Sequence, residues 1–425
     1  MTMMPRGRKK PRIFYGWYIV MAHMSLHFYI SMVWVYGIGA FFNPIVAELG
    51  WTRTQFSLAA SLNRLEGSVA TPVEGYLVDR FGPRKLVLVG VPLVVIALIL
   101  LSRVHSLITF YGAYLLVALG TSACLGIPFT VAVARWFRQR RGWAMGWLFS
   151  GATFSGLFLP LVILGNDELG WRTTMLLCGL GFLPLGLIAI AVVRDRPEPY
   201  GYLPDGVDPG EETAAPENPS RGAPAPAASG ATAIEALRTP AFWALTLIFG
   251  IASMGPSGMF LHQIAYFRSI GFTAAAAAST VGTFTLLSGI GRIGAGWVMD
   301  RMDYRWVLAG LVGLNVAGFL VLLNVTQYWH SVVYSLLFGV SFGGGIPARP
   351  IIVSGLFGTR AFGTIQGLIQ SLTVVGGVVA PILMAWVYDT TGSYRAAILL
   401  LTALIGAALP LTLLLPKMAP RRTRA

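Results

Sequence analysis

Along the 425-residue chain, long apolar stretches alternate with short polar gaps, and twelve such stretches can be marked. They cover residues 16–43, 55–78, 84–102, 107–134, 142–165, 171–193, 240–267, 275–299, 305–326, 330–357, 363–388 and 394–415. A helix needs about 20 apolar residues to cross a hydrocarbon core. A backbone in hydrocarbon must satisfy its own hydrogen bonds, so these spans are predicted to be helices. One stretch breaks the rhythm. Residues 194–238 hold eight prolines, scattered acids and no apolar periodicity, which reads as a disordered linker. The predicted plan is therefore a six-helix bundle over 1–193, a linker over 194–238 and a second six-helix bundle over 239–425.

The two halves echo each other at an offset of 219 to 223 residues. Gly50-Trp51-Thr52 returns as Gly271-Phe272-Thr273, and Gly75-x3-Asp79-Arg80 returns as Gly296-x3-Asp300-Arg301. Gly126-Ile127-Pro128 returns as Gly345-Ile346-Pro347, and Gly142-x3-Gly146 as Gly363-x3-Gly367. Register kept over this distance marks two copies of one folding unit. In a membrane chain, paired halves point to a transporter with its site between them.

Composition agrees with a lipid environment: 55% of residues are hydrophobic and 11% charged, against about 25% charged in soluble domains. The net charge of +14 would suit nucleic acid, but its placement argues otherwise. Of 31 Lys and Arg, only Arg53, Arg103, Arg172, Arg268 and Arg395 fall on one set of loops, and 23 fall on the other set with the termini. This is the positive-inside bias, and it places both termini in the cytoplasm of a plasma membrane, the inner membrane in a bacterium. The first apolar span is too long for a signal core and more spans follow, so no cleavable signal peptide is expected. Cys124 and Cys178 both lie within spans, which argues against a disulfide or a cysteine metal site. No nucleophile–base pair or metal constellation appears, so neither an enzyme, a metal nor a cofactor is expected.

Gly75-Tyr76-Leu77-Val78-Asp79-Arg80-Phe81-Gly82-Pro83-Arg84-Lys85 resembles the loop signature G-x-x-x-D-R-x-G-x-R-R of the major facilitator superfamily. The resemblance covers nearly the whole chain and implies an all-α membrane fold of twelve helices in two pseudo-symmetric bundles. It also implies a conformational gate of Asp79, Arg80, Gly82 and Arg84, repeated at Asp300 and Arg301. Asp303 stands where the second copy should have glycine, so that copy is expected to be the weaker gate. Phe14-Tyr15-Gly16-Trp17 resembles the D-G-G-W-G-W entry of monocarboxylate porters. The stretch Trp136 to Gly146 resembles their F-x-K-R-R-x-x-A-x-G loop. Oxalate–formate exchangers share the architecture.

Ionisable groups inside spans are the candidate chemistry, because a charge at the bilayer centre costs roughly 2.5–3.5 kcal/mol on insertion scales. Arg292 lies eight residues before Asp300, ~12 Å up the helix and near the midplane. A guanidinium is a planar double donor suited to a carboxylate. The resemblance implies the same role, since monocarboxylate and oxalate transporters grip substrate with an arginine in helix 8; an ion pair with Glu66 is the structural alternative. Arg64 lies in the outer half as a second anion ligand, an outer gate or a helix-pairing residue. Glu66 is a proton-coupling candidate or a constant partner for an arginine. His23 and His27 share a face one turn apart, either as a proton relay or as hydrogen-bonded core residues. Glu74 reads as part of the cytoplasmic charge network. Arg349 sits between Pro347 and Pro350, which are expected to interrupt its helix and free carbonyls to receive it; it either lines the cavity, as the resemblance implies for helix 10, or serves stability.

Departures from the relatives narrow the reading. Tyr36 stands where animal monocarboxylate porters have lysine, and Ser288 where they have aspartate. Gln366 and Gln370 occupy the helix in which oxalate exchangers carry a lysine. One cation with polar neighbours suits a monocarboxylate better than a dicarboxylate. The expectation is a monomeric, proton-coupled secondary transporter of lactate- or pyruvate-like acids, with Arg292, Ser288, Tyr36, Arg64 and Gln370 at the substrate. An efflux pump or organic-anion exchanger of the same superfamily is the alternative, and a transport-inactive receptor the second. The lipid bilayer is the other partner expected.

Overall fold

The structure, a computed structural model, describes residues 13–35, 37–206 and 230–417. The first span is α1 (Gly16–Ile30), a π-helical turn over Ser31–Val35, and α2 (Ile38–Leu49). Then come α3 (Arg53–Phe81) and α4 (Pro83–Ser102). The fourth span is α5 (Leu107–Leu125) with α6 (Ile127–Trp136), the fifth α7 (Arg141–Ser155) with α8 (Leu159–Leu169), and the sixth α9 (Trp171–Val192). After the short α10 (Ala233–Leu237), the second half comprises α11 (Pro240–Ser269), α12 (Ala274–Met299) and α13 (Tyr304–Leu322). It ends with α14 (Tyr328–Phe357), α15 (Phe362–Thr391) and α16 (Arg395–Leu414). Every apolar stretch marked in the sequence thus lies on one helix or on a bent pair. Among the described residues, nine helices are long and apolar enough to cross a membrane, or ten with α7 and α8 counted as one bent span. The helices α3 and α12 fall outside that group; α3 carries Arg64, Glu66 and Glu74 along its length, and α12 carries Arg292.

The sequence echo has local causes. Gly50 and Gly271 both turn the chain at positive φ (66° and 96°), where a side chain would be strained. Two residues on, Thr52 and Thr273 accept hydrogen bonds from the backbone N–H groups of Gln55 and Ala276 and cap α3 and α12. The repeated Gly-x-Thr is therefore a turn followed by a cap. Within each half the packing repeats too: α4 lies on α5 and α9, as α13 lies on α14 and α16. Across the halves, α3 packs on α15 and α7 on α12.

Two expectations need correction. The helix α14 continues through Pro347 and Pro350, because helix packing on both sides outweighs the lost backbone hydrogen bonds. The stretch 194–238, expected to be disordered, is ordered at both ends; residues 207–229 lie outside the described residues. Asp195 accepts a hydrogen bond from the Arg84 N–H at the start of α4 (2.9 Å). Asp205 accepts from the backbone N–H groups of Arg138, Gln139 and Arg140 (2.9, 2.6 and 3.3 Å). Tyr202 packs against Phe14, Tyr15 and Trp136. At the other end, Ala231 donates to the Phe357 carbonyl (2.9 Å). The acids that made this stretch look unstructured are what fasten it.

On the opposite face, Glu48 accepts from Arg172 (2.9 Å) and from the Trp171 indole. These bonds, that from Arg172 first, hold its carboxyl below the ordinary glutamate value. A depressed value in the folded state means stability present above the ordinary glutamate range and lost as pH falls through the lowered value. Glu48→Gln is therefore expected to lower the melting temperature slightly at pH 7 and by less at pH 3.5. Equal shifts at both pH values, measured in detergent, would contradict this. The pair is exposed, so the effect is small.

Candidate functional site

The face that carries both chain ends is closed by two matching contacts. Asp79, at the end of α3, accepts from the N–H groups of Gly363 (3.0 Å) and Thr364 (2.8 Å) and from the Thr364 hydroxyl (2.8 Å) at the start of α15. Asp300, at the end of α12, accepts from the N–H groups of Gly142 (2.8 Å) and Trp143 (2.7 Å) at the start of α7. Each half thus caps a helix of the other, and a carboxylate there also meets the positive end of the helix dipole.

The glycines of the echo make this approach possible. A Cβ on Gly75 would overlap the Gly363 carbonyl, and one on Gly363 would stand 2.6 Å from the Gly75 carbonyl oxygen. Gly142 and Gly296 stand in the same mutual relation, and the Arg292 carbonyl comes within 2.7 Å of a Cβ on Gly146.

The basic members of the signature serve elsewhere. Arg80 lies over Phe81 and bonds the Tyr76 hydroxyl, and Arg301 lies over Trp297. Arg84 contributes its backbone N–H to Asp195. Gly82 has φ +87°, and a Cβ there would meet the Asp195 carboxylate at 2.6 Å. The second copy makes the same kind of cap as the first, through backbone N–H groups at the start of a helix of the other half. Asp303 turns instead to α13, accepting from the Arg305 N–H (3.0 Å) and pairing with its guanidinium (2.8 Å).

Beyond this closed end lies a cavity of about 770 Å³ between the halves. His27, Asn63, Glu66 and Ser122 line it from the first half, and Arg349 and Gln370 from the second. Phe149 and Phe260 supply apolar wall. Arg349 donates from Nη2 to Gln370 Oε1 (3.0 Å), and its Nε is buried with no hydrogen-bond partner among the described residues. Glu66 Oε1 and His27 Nδ1 are likewise buried without one. A cation with donors to spare, polar neighbours and aromatic wall form a pocket able to hold a small anion.

The expected residues divide around this cavity. Gln370, Glu66, His23 and His27 line it. His23 is also fastened, with Nδ1 2.8 Å from the Leu148 carbonyl and Nε2 2.9 Å from that of Leu125. The Leu125 carbonyl is freed by the break at Gly126 between α5 and α6. Arg292 is buried between the halves, donating from Nη1 to the Phe149 carbonyl on α7 (2.7 Å), behind the wall that Phe149 and His27 form. Ser288 is buried off the cavity: its hydroxyl bonds the Thr285 carbonyl (2.7 Å), and its backbone packs on Gly343 of α14. Tyr36 and the side chain of Arg64 lie outside the described residues. Arg349 was noted in the sequence but not counted among the substrate ligands. Its signal was an arginine within an apolar span, as for Arg292.

The sequence model of the major facilitator superfamily matches residues 24–280 and 257–425. The chain belongs to that superfamily. Its function is therefore transport of a small molecule across a membrane rather than catalysis, and the protein is multi-pass. Bovine monocarboxylate transporter 13 is 26% identical over 407 residues, 95% of this chain and 89% of that protein. The oxalate:formate antiporter of Oxalobacter formigenes is 26% identical over 79% of this chain and 77% of its own length. A probable nitrate/nitrite transporter of Mycobacterium tuberculosis is 26% identical over 90% and 93%. Among solved structures, the fucose:proton symporter of E. coli superposes with a TM-score of 0.67 at 14% identity, covering 93% of this chain and 98% of that one. The human organic anion transporter superposes with a TM-score of 0.70 at 14% identity, covering 95% and 100%. These likenesses establish the fold of twelve helices in two pseudo-symmetric bundles.

Proposed function

We propose that the chain moves small organic monocarboxylates across the membrane by alternating access between its halves, 1–193 and 239–425, coupled to protons. The observation that carries this reading is the cavity between the halves with Arg349 and Gln370 on its wall. The similar proteins named above transport monocarboxylates, oxalate and formate, or nitrate and nitrite by their names, all small anions. A guanidinium fits a carboxylate, and an aromatic wall fits a short organic tail. In this arrangement Arg349 and Gln370 hold the carboxylate. Arg292 joins them when α7 and α12 part and the Phe149 carbonyl no longer receives it. Substrate-for-substrate exchange is the second reading, favoured by the match to an antiporter over most of the chain. The basic loops support both termini in the cytoplasm and a plasma-membrane location, in a bacterium the inner membrane. The protein would work as a monomer, because cavity and latch both form within one chain.

Uptake of labelled lactate and pyruvate into proteoliposomes tests this reading. Wild type is expected to accumulate at least one of them, and Arg292→Ala to lower uptake by about tenfold, as for a lost charge-assisted hydrogen bond. Undiminished uptake in the variant would remove Arg292 from the site. No uptake or exchange of either acid by wild type would reject monocarboxylate transport.

A further inference from the structure

One carboxyl remains outside the roles given so far. Glu74 lies on α3 just before Gly75 and is 6% exposed. Its Oε2 accepts a hydrogen bond from the Ser122 hydroxyl on α5, and Ser122 itself lines the central cavity. Glu66 stands eight residues earlier on the same helix, ~12 Å away along the axis and about 80° around it. Glu66 lines the central cavity and also a second, apolar groove of about 730 Å³ that Glu74 borders. Leu77, Val89 and Leu119 are among the apolar walls of that groove, and Lys85 lies at its far end. The groups facing Glu74 are thus Glu66 on its own helix, Ser122 and the buried Cys124 thiol on α5, and Lys85 on α4. Among the described residues no cation lies within ion-pair distance of it. A buried carboxylate in such surroundings is strongly disfavoured unless it takes a proton.

Its position on the closed latch matters as much. Gly75, the next residue, lies against the Gly363 backbone, and Asp79 caps α15 five residues on. The close contact of α3 with α15 runs from Thr71, against Gly367, past Glu74 to Asp79. If the halves part there, water from the face with the chain ends reaches a carboxyl whose described hydrogen bond leads to the cavity side.

Resting on the transport reading above, we propose that Glu74 carries the coupled proton between the two faces of the membrane. With the latch closed, a hydronium ion in the cavity beside Ser122 gives its proton by way of cavity water, forming an O–H bond on Glu74 and leaving water. With the latch open, that O–H bond breaks and water at the other face accepts the proton. Ser122 is a positioning residue, holding the carboxyl toward the cavity.

The test uses the full chain in liposomes with labelled lactate and a lumenal pH dye. Lactate–lactate exchange needs no net proton movement and reports a folded carrier. Proton entry accompanying lactate reports coupling. Glu74→Gln mimics the neutral acid and is expected to keep exchange while losing proton entry and gradient-driven accumulation by at least about tenfold. Ser122→Ala is expected to move the pH of half-maximal uptake upward by roughly 1–2 units, the worth of one hydrogen bond to a carboxylate. Wild-type proton entry in Glu74→Gln, or lactate uptake by wild type with no proton entry, would overturn the proposal. If Glu74→Gln does not fold, an unmoved pH profile in Ser122→Ala overturns it instead. Absence of both exchange and uptake in wild type points to failure of the monocarboxylate reading, which is a separate result.

Discussion

Arg349→Ala is expected to reduce lactate or pyruvate affinity by about 10–100-fold while leaving the melting temperature unchanged or higher. Both halves of this expectation follow from what Arg349 touches. Its described hydrogen bond is the one to Gln370, and the rest of its donors face the cavity or lie buried. A hydrogen bond to a charged group is worth about 1.5–3 kcal/mol, which is the range of that loss. For stability the sign is opposite, because a buried cation held by one neutral amide is a cost that alanine removes. A residue kept for packing would instead lose stability with activity. Arg349→Lys keeps the charge but not the planar fork, and is expected to fall between wild type and alanine. Binding measured by thermal shift across a lactate titration, beside the melting temperature without ligand, decides the matter. A drop in melting temperature with unchanged affinity would assign Arg349 to structure.

Gly75→Val and Gly296→Val are expected to drive the protein away from the closed state by a population shift of about 100-fold. A Cβ at either position overlaps a backbone carbonyl of the opposite half. Backbone cannot rotate away as a side chain can, so the cost lies at or above the upper end of the roughly 1–3 kcal/mol typical of overpacking. The same separation breaks the aspartate cap beside each glycine, removing further charge-assisted bonds. Spin labels on the exposed Arg80 and Arg360, one in each half, report the distance across this face. Cys124 and Cys178 are buried, so labelling at the new sites is selective. A longer distance in the valine variants is the expected outcome, and an unchanged distribution would show that the glycines do not set the closed state.

Much of this fold could be read from the sequence because membranes impose a simple grammar. Apolar runs gave the spans, and Gly-x-Thr, Gly-x3-Asp and Gly-x3-Gly gave the punctuation of two copied halves. The contacts made by the copied motifs explain why they were copied: turns and caps at one face, backbone crossings at the other. What escaped the sequence was direction around each helix. Ser288 and Arg292 are four residues apart on α12, and neither side chain lines the cavity. Arg349, on α14, does. Periodicity is a weak guide in a span apolar on every side, since no polar face marks the wall of the cavity. The roles of Asp195 and Asp205 were hidden for a different reason. Their partners are backbone N–H groups, which leave no complementary residue type to look for.

Those two aspartates also bear on how the halves are joined. Residues 194–206 are moored to the first half by Asp195, Asp205 and Tyr202, and 230–231 to the second at Phe357 and Gly358. The join between these moorings is 207–229, 23 residues that fully extended would span at most roughly 80 Å. Whatever its form, such a join keeps the halves in one molecule and so contributes an effective concentration. Opening and closing are then governed by the faces that touch, and the chain could be cut in this join with each half keeping its own mooring.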